Sequence, residues 1–134
     1  MNIPSIDIKN MLVSESDLGL VFATNLFIGR SPSSPNDIVT IYDVPAREEE
    51  ISLNPKNEIY EFKAIQIKVR AIHYQTGFTL IEAIKTYLHG RANVTQESSF
   101  YTLITCTNGP ALLEWDDSNR VNFIINFELQ RKGN

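Results

Sequence analysis

The stretch from Glu61 to Arg131 constrains the fold more than any other part of the chain. Phe62 to Ile72 alternates: Ile65, Ile67 and Val69 face one way, and Gln66, Lys68 and Arg70 face the other. A strand of that pattern puts one face in a core and the other toward solvent or an interface. It leads into an amphipathic helix running from about Gly77 to His89, with Thr76 as its cap. Phe78, Ile81, Ile84 and Leu88, flanked by Leu80 and Tyr87, form the apolar face, and Glu82, Lys85 and Thr86 lie opposite. Gly90 supplies the stop. Phe100 to Thr107 then reads as a strand, Asn108-Gly109-Pro110 as a break and Ala111 to Trp115 as a further short strand. Asp116-Asp117-Ser118-Asn119 is a turn by composition. Val121 to Arg131 is the best-patterned strand, with Val121, Phe123, Ile125, Phe127 and Leu129 on one face.

The first half is less regular. Pro4-Ser5 opens a helix with Ser5 as N-cap, Asp7 in the first turn, and Ile8, Met11 and Leu12 as its apolar stripe. Gly19 ends it or starts the next turn. Leu20 to Ile28 and Asp37 to Val44 read as two strands of a hairpin, joined by a tip of two prolines and three serines that cannot continue a ladder. Pro45 to Tyr60 is a long irregular segment, either a solvated loop or a docking loop that orders against a partner. The element order is therefore α-β-β-β-α-β-β-β. It predicts a single α+β domain over residues 1–134, a mainly antiparallel or mixed sheet with two helices packed on it.

Composition excludes several classes. A chain of 134 residues can bury a real core, and 43 % apolar with 21 % charged residues is ordinary for a globular domain. No apolar run approaches the roughly 18 residues that cross a bilayer, so no membrane partner is expected. The N-terminal Met1-Asn2-Ile3-Pro4-Ser5 has no signal-peptide pattern, which predicts a protein made and used inside a cell or inside something assembled there. Between Asp43 and Glu61 lie six acids and two bases, and that stretch alone accounts for the formal net charge of −4. A tight nucleic-acid binder needs a basic excess to neutralise phosphates, and this chain has none.

Chemistry-bearing motifs are sparse. There is no GxGxxG or Walker-type loop, so no nucleotide cofactor is expected. His73 and His89 are too few and too far apart for a helical zinc pair, and no metal or cofactor site is predicted. Cys106, the only cysteine, reads as a small buried hydrophobe on a strand. His89 falls where a helix dipole favours a cation. Asp116 and Asp117 read as turn residues. Trp115 and Tyr101 read as core or interface aromatics. No catalytic residue is predicted. The alternative is a small nucleic-acid-binding or nucleic-acid-processing protein using the basic strand face of Lys68 and Arg70, with Lys63 nearby and the Asp116/Asp117 pair.

Three segments in order resemble the bacteriophage minor capsid, or tail terminator (tail completion), family. They are Ser34 to Asp43; Ala64 to Arg70 with Tyr74-Gln75-Thr76-Gly77 and the helix ending Leu88-His89-Gly90-Arg91-Ala92-Asn93; and Asn108-Gly109-Pro110 through Asn119-Arg120 to Arg131. The resemblance spans residues 20–131. It implies a structural virion protein, not an enzyme, that forms a hexameric ring on the tail tube, stops tube elongation and joins tail to head. The implied partners are further copies of the chain, the tail tube protein and a head-completion protein, with DNA passing through the ring without specific binding. It also implies the head-proximal end of the tail as the final location, reached by assembly in the host cytoplasm. The residues expected to meet partners are Arg47, Glu48, Glu49 and Glu50 in the acidic segment, Lys68 and Arg70 on the strand, and Arg91 and Arg120 at the turns.

Overall fold

A computed structural model describes residues 3–46, 50–51 and 59–132. Helix α1 (Pro4–Ser14) is followed by a 3-10 turn (Ser16–Leu18), strands β1 (Leu26–Ile28), β2 (Ile38–Val44), β3 (Glu50–Ile51) and β4 (Ile59–Ala71), helix α2 (Tyr74–Leu88), and strands β5 (Ala92–Gln96), β6 (Ser99–Trp115) and β7 (Val121–Lys132). The sheet order is β1-β2-β4-β7-β6-β5, with the two-residue β3 added on β4. β1 runs parallel to β2, and the other pairings are antiparallel. The fold is α+β with a mixed sheet, as the element order predicts.

Both helices cover one face of the sheet. Ile8, Met11 and Leu12 of α1 and Ile81, Ile84 and Leu88 of α2 join one core with Val39, Ile41, Ile65, Ile67 and Val69. β7 is the central strand, and Val121, Phe123, Ile125, Phe127 and Leu129 are all 0 % exposed. The Tyr87 hydroxyl donates to the Met11 carbonyl at 3.0 Å and ties the helices together. α2 approaches the sheet so closely at its first turn that a Cβ on Gly77 would lie 2.9 Å from a Phe123 ring carbon. The missing side chain at Gly77 is thus what lets the helix dock.

Several local expectations change. Ser5 is not the N-cap of α1; Ile3 holds that position, with Pro4 beginning the helix. Ser5 instead donates through its N–H and hydroxyl to the Asp43 carboxylate, at 3.1 and 2.6 Å. A carboxylate brought from the end of β2 thereby serves the positive end of α1. Leu20 to Ile28 is mostly loop, because the Asn25 side chain accepts from Val21 N–H and donates to the Gly19 carbonyl, closing a turn before β1. β1 and β2 form no hairpin: they are parallel, since segment 29–37 returns across the sheet before β2 begins. α2 starts at Tyr74 with His73 as N-cap, ahead of Thr76.

The first two of the three strands expected after α2 are one. Asn108-Gly109-Pro110 is absorbed into β6 as an irregularity, with register shifts against β7 on either side of Asn108. Gly109 has φ +95°, and a Cβ there would meet the Ile124 carbonyl oxygen at 2.7 Å, so only glycine fits. β5 lies outside the expected elements: its Ala-Asn-Val-Thr-Gln sequence offers only Ala92 and Val94 as apolar positions, and it takes its place by pairing with β6 at the sheet margin.

Candidate interaction surfaces

The far face of the sheet is polar and carries a pinned loop. Gln66 Nε2 donates to Asn126 Oδ1 at 3.2 Å, and the Lys68 ammonium lies 5.8 Å from the Tyr42 ring centroid. Ser31 Oγ bonds Thr40 Oγ1 at 2.7 Å and the Tyr42 hydroxyl at 2.9 Å. Arg70, only 5 % exposed, donates to the carbonyls of Pro32 (2.6 Å), Pro35 (2.8 Å) and Asn36 (3.1 Å). Asp37 Oδ1 accepts from the Ile72 N–H at 3.0 Å, and Arg120 Nη1 donates to the Ser33 carbonyl at 2.6 Å. Burial, with Arg120 nearby, holds the Arg70 pKa below its ordinary value. The loop is preorganised, so a partner docking on it would meet little ordering cost.

Arg120 is itself oriented by Asp116, whose Oδ2 accepts from Arg120 Nε at 2.8 Å while Oδ1 accepts from the N–H groups of Ser118 and Arg120. The backbone bond from Arg120, with the other donors, lowers the Asp116 pKa. Asp116 thus closes the β6–β7 turn, as its turn-forming chemistry predicts.

At the opposite end, the Tyr101 hydroxyl donates to Asp7 Oδ2 at 2.5 Å, and Arg131 donates from Nε and Nη2 to Glu61 Oε2 at 3.0 and 2.8 Å. These contacts tie α1, β4, β6 and β7 together. Burial, reinforced by Asp7, pushes the Tyr101 pKa well above its usual value. A raised phenol pKa contributes stability that is full below the unfolded value of about 10 and is lost as pH rises through the folded one. Tyr101→Phe should therefore cost about 1–3 kcal/mol at neutral pH. The gap between variant and native protein should narrow above pH about 10 in chemical denaturation, and a gap constant to pH about 11.5 would contradict this assignment.

Of the residues expected to meet partners, Arg70 and Arg120 converge on the 32–36 loop and donate to their own chain. Lys68 sits on the far face beside them. Arg91 lies against the Tyr87 ring, 4.5 Å from its centroid, at the end of α2. Arg47, Glu48 and Glu49 lie outside the described residues, and Glu50 is described only as backbone, opposite Tyr60. The basic strand face of the nucleic-acid reading is thus reduced, since Arg70 points its donors at backbone carbonyls.

Among the described residues, no group of three or more His, Cys, Asp or Glu could hold a metal. One open groove, beside Lys85, His89, Cys106 and Asn108, brings the histidine and cysteine together. There His89 Nδ1 accepts the Cys106 backbone N–H at 2.9 Å, while the thiol turns to the carbonyls of Asn108 and Gly109. The histidine therefore braces the β6 irregularity. Cys106 is only partly buried, against the expectation of a buried hydrophobe.

Two groups of exposed apolar side chains lie at the sheet margins, and Ile72, Tyr74 and Phe78 form another at the start of α2. Phe22 is 47 % exposed outside β1, with the Lys9 ammonium 4.7 Å from its ring centroid. At the other margin Leu112, Leu113 and Trp115 are 48, 49 and 52 % exposed. Sequence pattern marks 111–115 as apolar strand but cannot tell that β5 stops short of it. Exposed apolar clusters of this kind mark protein contacts.

A mixed sheet with two helices on one face, a polar far face and apolar margins offers several surfaces for protein contacts. The fold is that of a chain from the virion of a native gene transfer agent particle, with TM-score 0.67 at 12 % identity, covering 97 % of this chain and 95 % of that one. No curated protein matches the sequence. Residues 7–132 match the family described as bacteriophage tail terminator protein. The chain belongs to that family and is a structural protein of the phage tail.

Proposed function

We propose that the protein caps the tail tube as a hexameric ring, ends tube elongation and forms part of the joint to the head. The observation that carries this reading is the family match over residues 7–132. The surfaces support it. A pinned loop and two apolar sheet margins offer several distinct contact faces, and a ring needs two different faces per subunit. The formal charge of −4 suits a conduit through which DNA passes, because each neutralised phosphate would retard transit. In this reading the partners are further copies, the tail tube protein and a head-completion protein. The chain acts at the head-proximal end of the tail after assembly in the host cytoplasm, without bond-making chemistry. The test is polymerisation of purified tail tube protein with and without this chain. Tubes of arrested length are expected when it is present; tubes that elongate equally in both would refute the capping role.

A further inference from the structure

One residue row crosses the sheet from β1 to β6 at the level of Phe123, beyond the reach of β5. Phe22 bridges Leu26, Leu26 pairs with Val39, Val39 with Val69, Val69 with Phe123 and Phe123 with Leu112. The ends of this row are Phe22 and Leu112, both large, apolar and about half exposed. With strands about 4.8 Å apart, the five steps place them roughly 24 Å from each other on opposite margins.

The two margins are complementary. Beside Phe22 stands the cation Lys9. Beside Leu112 stands the exposed anion Glu114, with Leu113 and Trp115 completing an apolar edge. Backbone pairing on that side of β6 ends at Ile104, and the Cys106 N–H beyond it donates to the His89 side chain. From Thr107 to Trp115, no described strand lies on the side of β6 away from β7. Natural sheets blunt an open edge with charge, proline, bulges or a covering element, and here Pro110 and the irregularity around Asn108 leave Ala111 to Trp115 as the open apolar stretch, a template for another chain. Direction also agrees. β6 runs antiparallel to β7, β7 to β4 and β4 to β2, while β1 is parallel to β2, so β1 and β6 run in opposite senses. A second copy displaced sideways along the row brings its Phe22 margin antiparallel to β6 at the same level.

We propose that copies of this chain join head to tail through these margins, the Phe22–Lys9 edge of one against the Leu112–Trp115 edge of β6 in the next. The contact is heterologous, so it closes into a ring when sheet twist supplies the rotation between copies. The proposal rests on the ring reading and names its subunit contact.

The test is carried out on the full chain with Cys106→Ser, alone and with purified tail tubes, using a short bis-maleimide. Phe22→Cys with Leu112→Cys in one chain should give a ladder of linked multimers. Either single variant alone should give none, and a mixture of the two singles should give dimers only. Lys9→Glu or Glu114→Lys should each lower the assembled fraction at least tenfold by sedimentation, and the two together should restore it. Self-linking of Leu112→Cys alone would mean an isologous β6–β6 contact and would overturn the proposal. Rings that assemble without a ladder would overturn the contact and leave the ring standing. No assembly with or without tubes would remove both.

Discussion

Phe123→Ala is expected to destabilise the protein by about 3–5 kcal/mol, the range for deleting a fully buried aromatic ring. Phe123 is 0 % exposed on the central strand. Its ring meets Tyr74 edge-on at 4.9 Å and Phe78 at 5.6 Å, and Gly77 exists as glycine to let it approach α2. Truncation leaves a void that cannot collapse, since β4 and β6 hold β7 on both sides. It also unseats Tyr74 and Phe78, which are partly exposed and stack on each other with centroids 6.4 Å apart. Urea denaturation measures the loss. A cost under about 1 kcal/mol would mean that the site repacks and that the row through Phe123 is not the rigid axis of the sheet.

The second large effect belongs to Arg70. Arg70→Ala strips three loop carbonyls of their charged donor, and charge-assisted bonds are worth about 1.5–3 kcal/mol each before the cost of burying the guanidinium is subtracted. A net loss of about 2–4 kcal/mol is expected. The distinguishing readout is local: protease cleavage within residues 29–37 should rise sharply while the helical circular dichroism stays native. Arg70→Lys should not rescue it, because one ammonium cannot fork to Pro32, Pro35 and Asn36 together. Unchanged cleavage in Arg70→Ala would show that the loop is held by Ser31, Asp37 and Arg120 instead.

Most of the architecture is legible in the residue pattern. The alternation of β7 and the apolar stripe of α2 each need only their own residues; β7 stands where the pattern puts it, and α2 does too apart from a start three residues earlier. What is not legible depends on contacts distant in sequence. Asp43 serving the start of α1, β1 running parallel to β2, and Arg70 turning from the solvent face to bind a loop are decided by residues far along the chain. β5 has only Ala92 and Val94 as apolar positions, too short a pattern to mark a strand without the pairing with β6. The merging of two strands into β6 follows from Gly109, whose positive φ lets the chain continue where Asn-Gly-Pro predicts an end. For the candidate surfaces, residue type draws attention to Lys68, Arg70 and Arg120, yet Arg70 and Arg120 bind their own chain. The half-exposed Phe22 and Leu112 stand out only once the sheet order places them at its two margins.

We propose that this chain works by closing around the end of a tail tube. Electron cryomicroscopy of tails assembled in its presence tests it most directly. The account predicts a closed ring of copies seated once, at the head-proximal end, with an open central channel. Tails whose ends carry no such ring, or copies scattered along the tube wall, would contradict it.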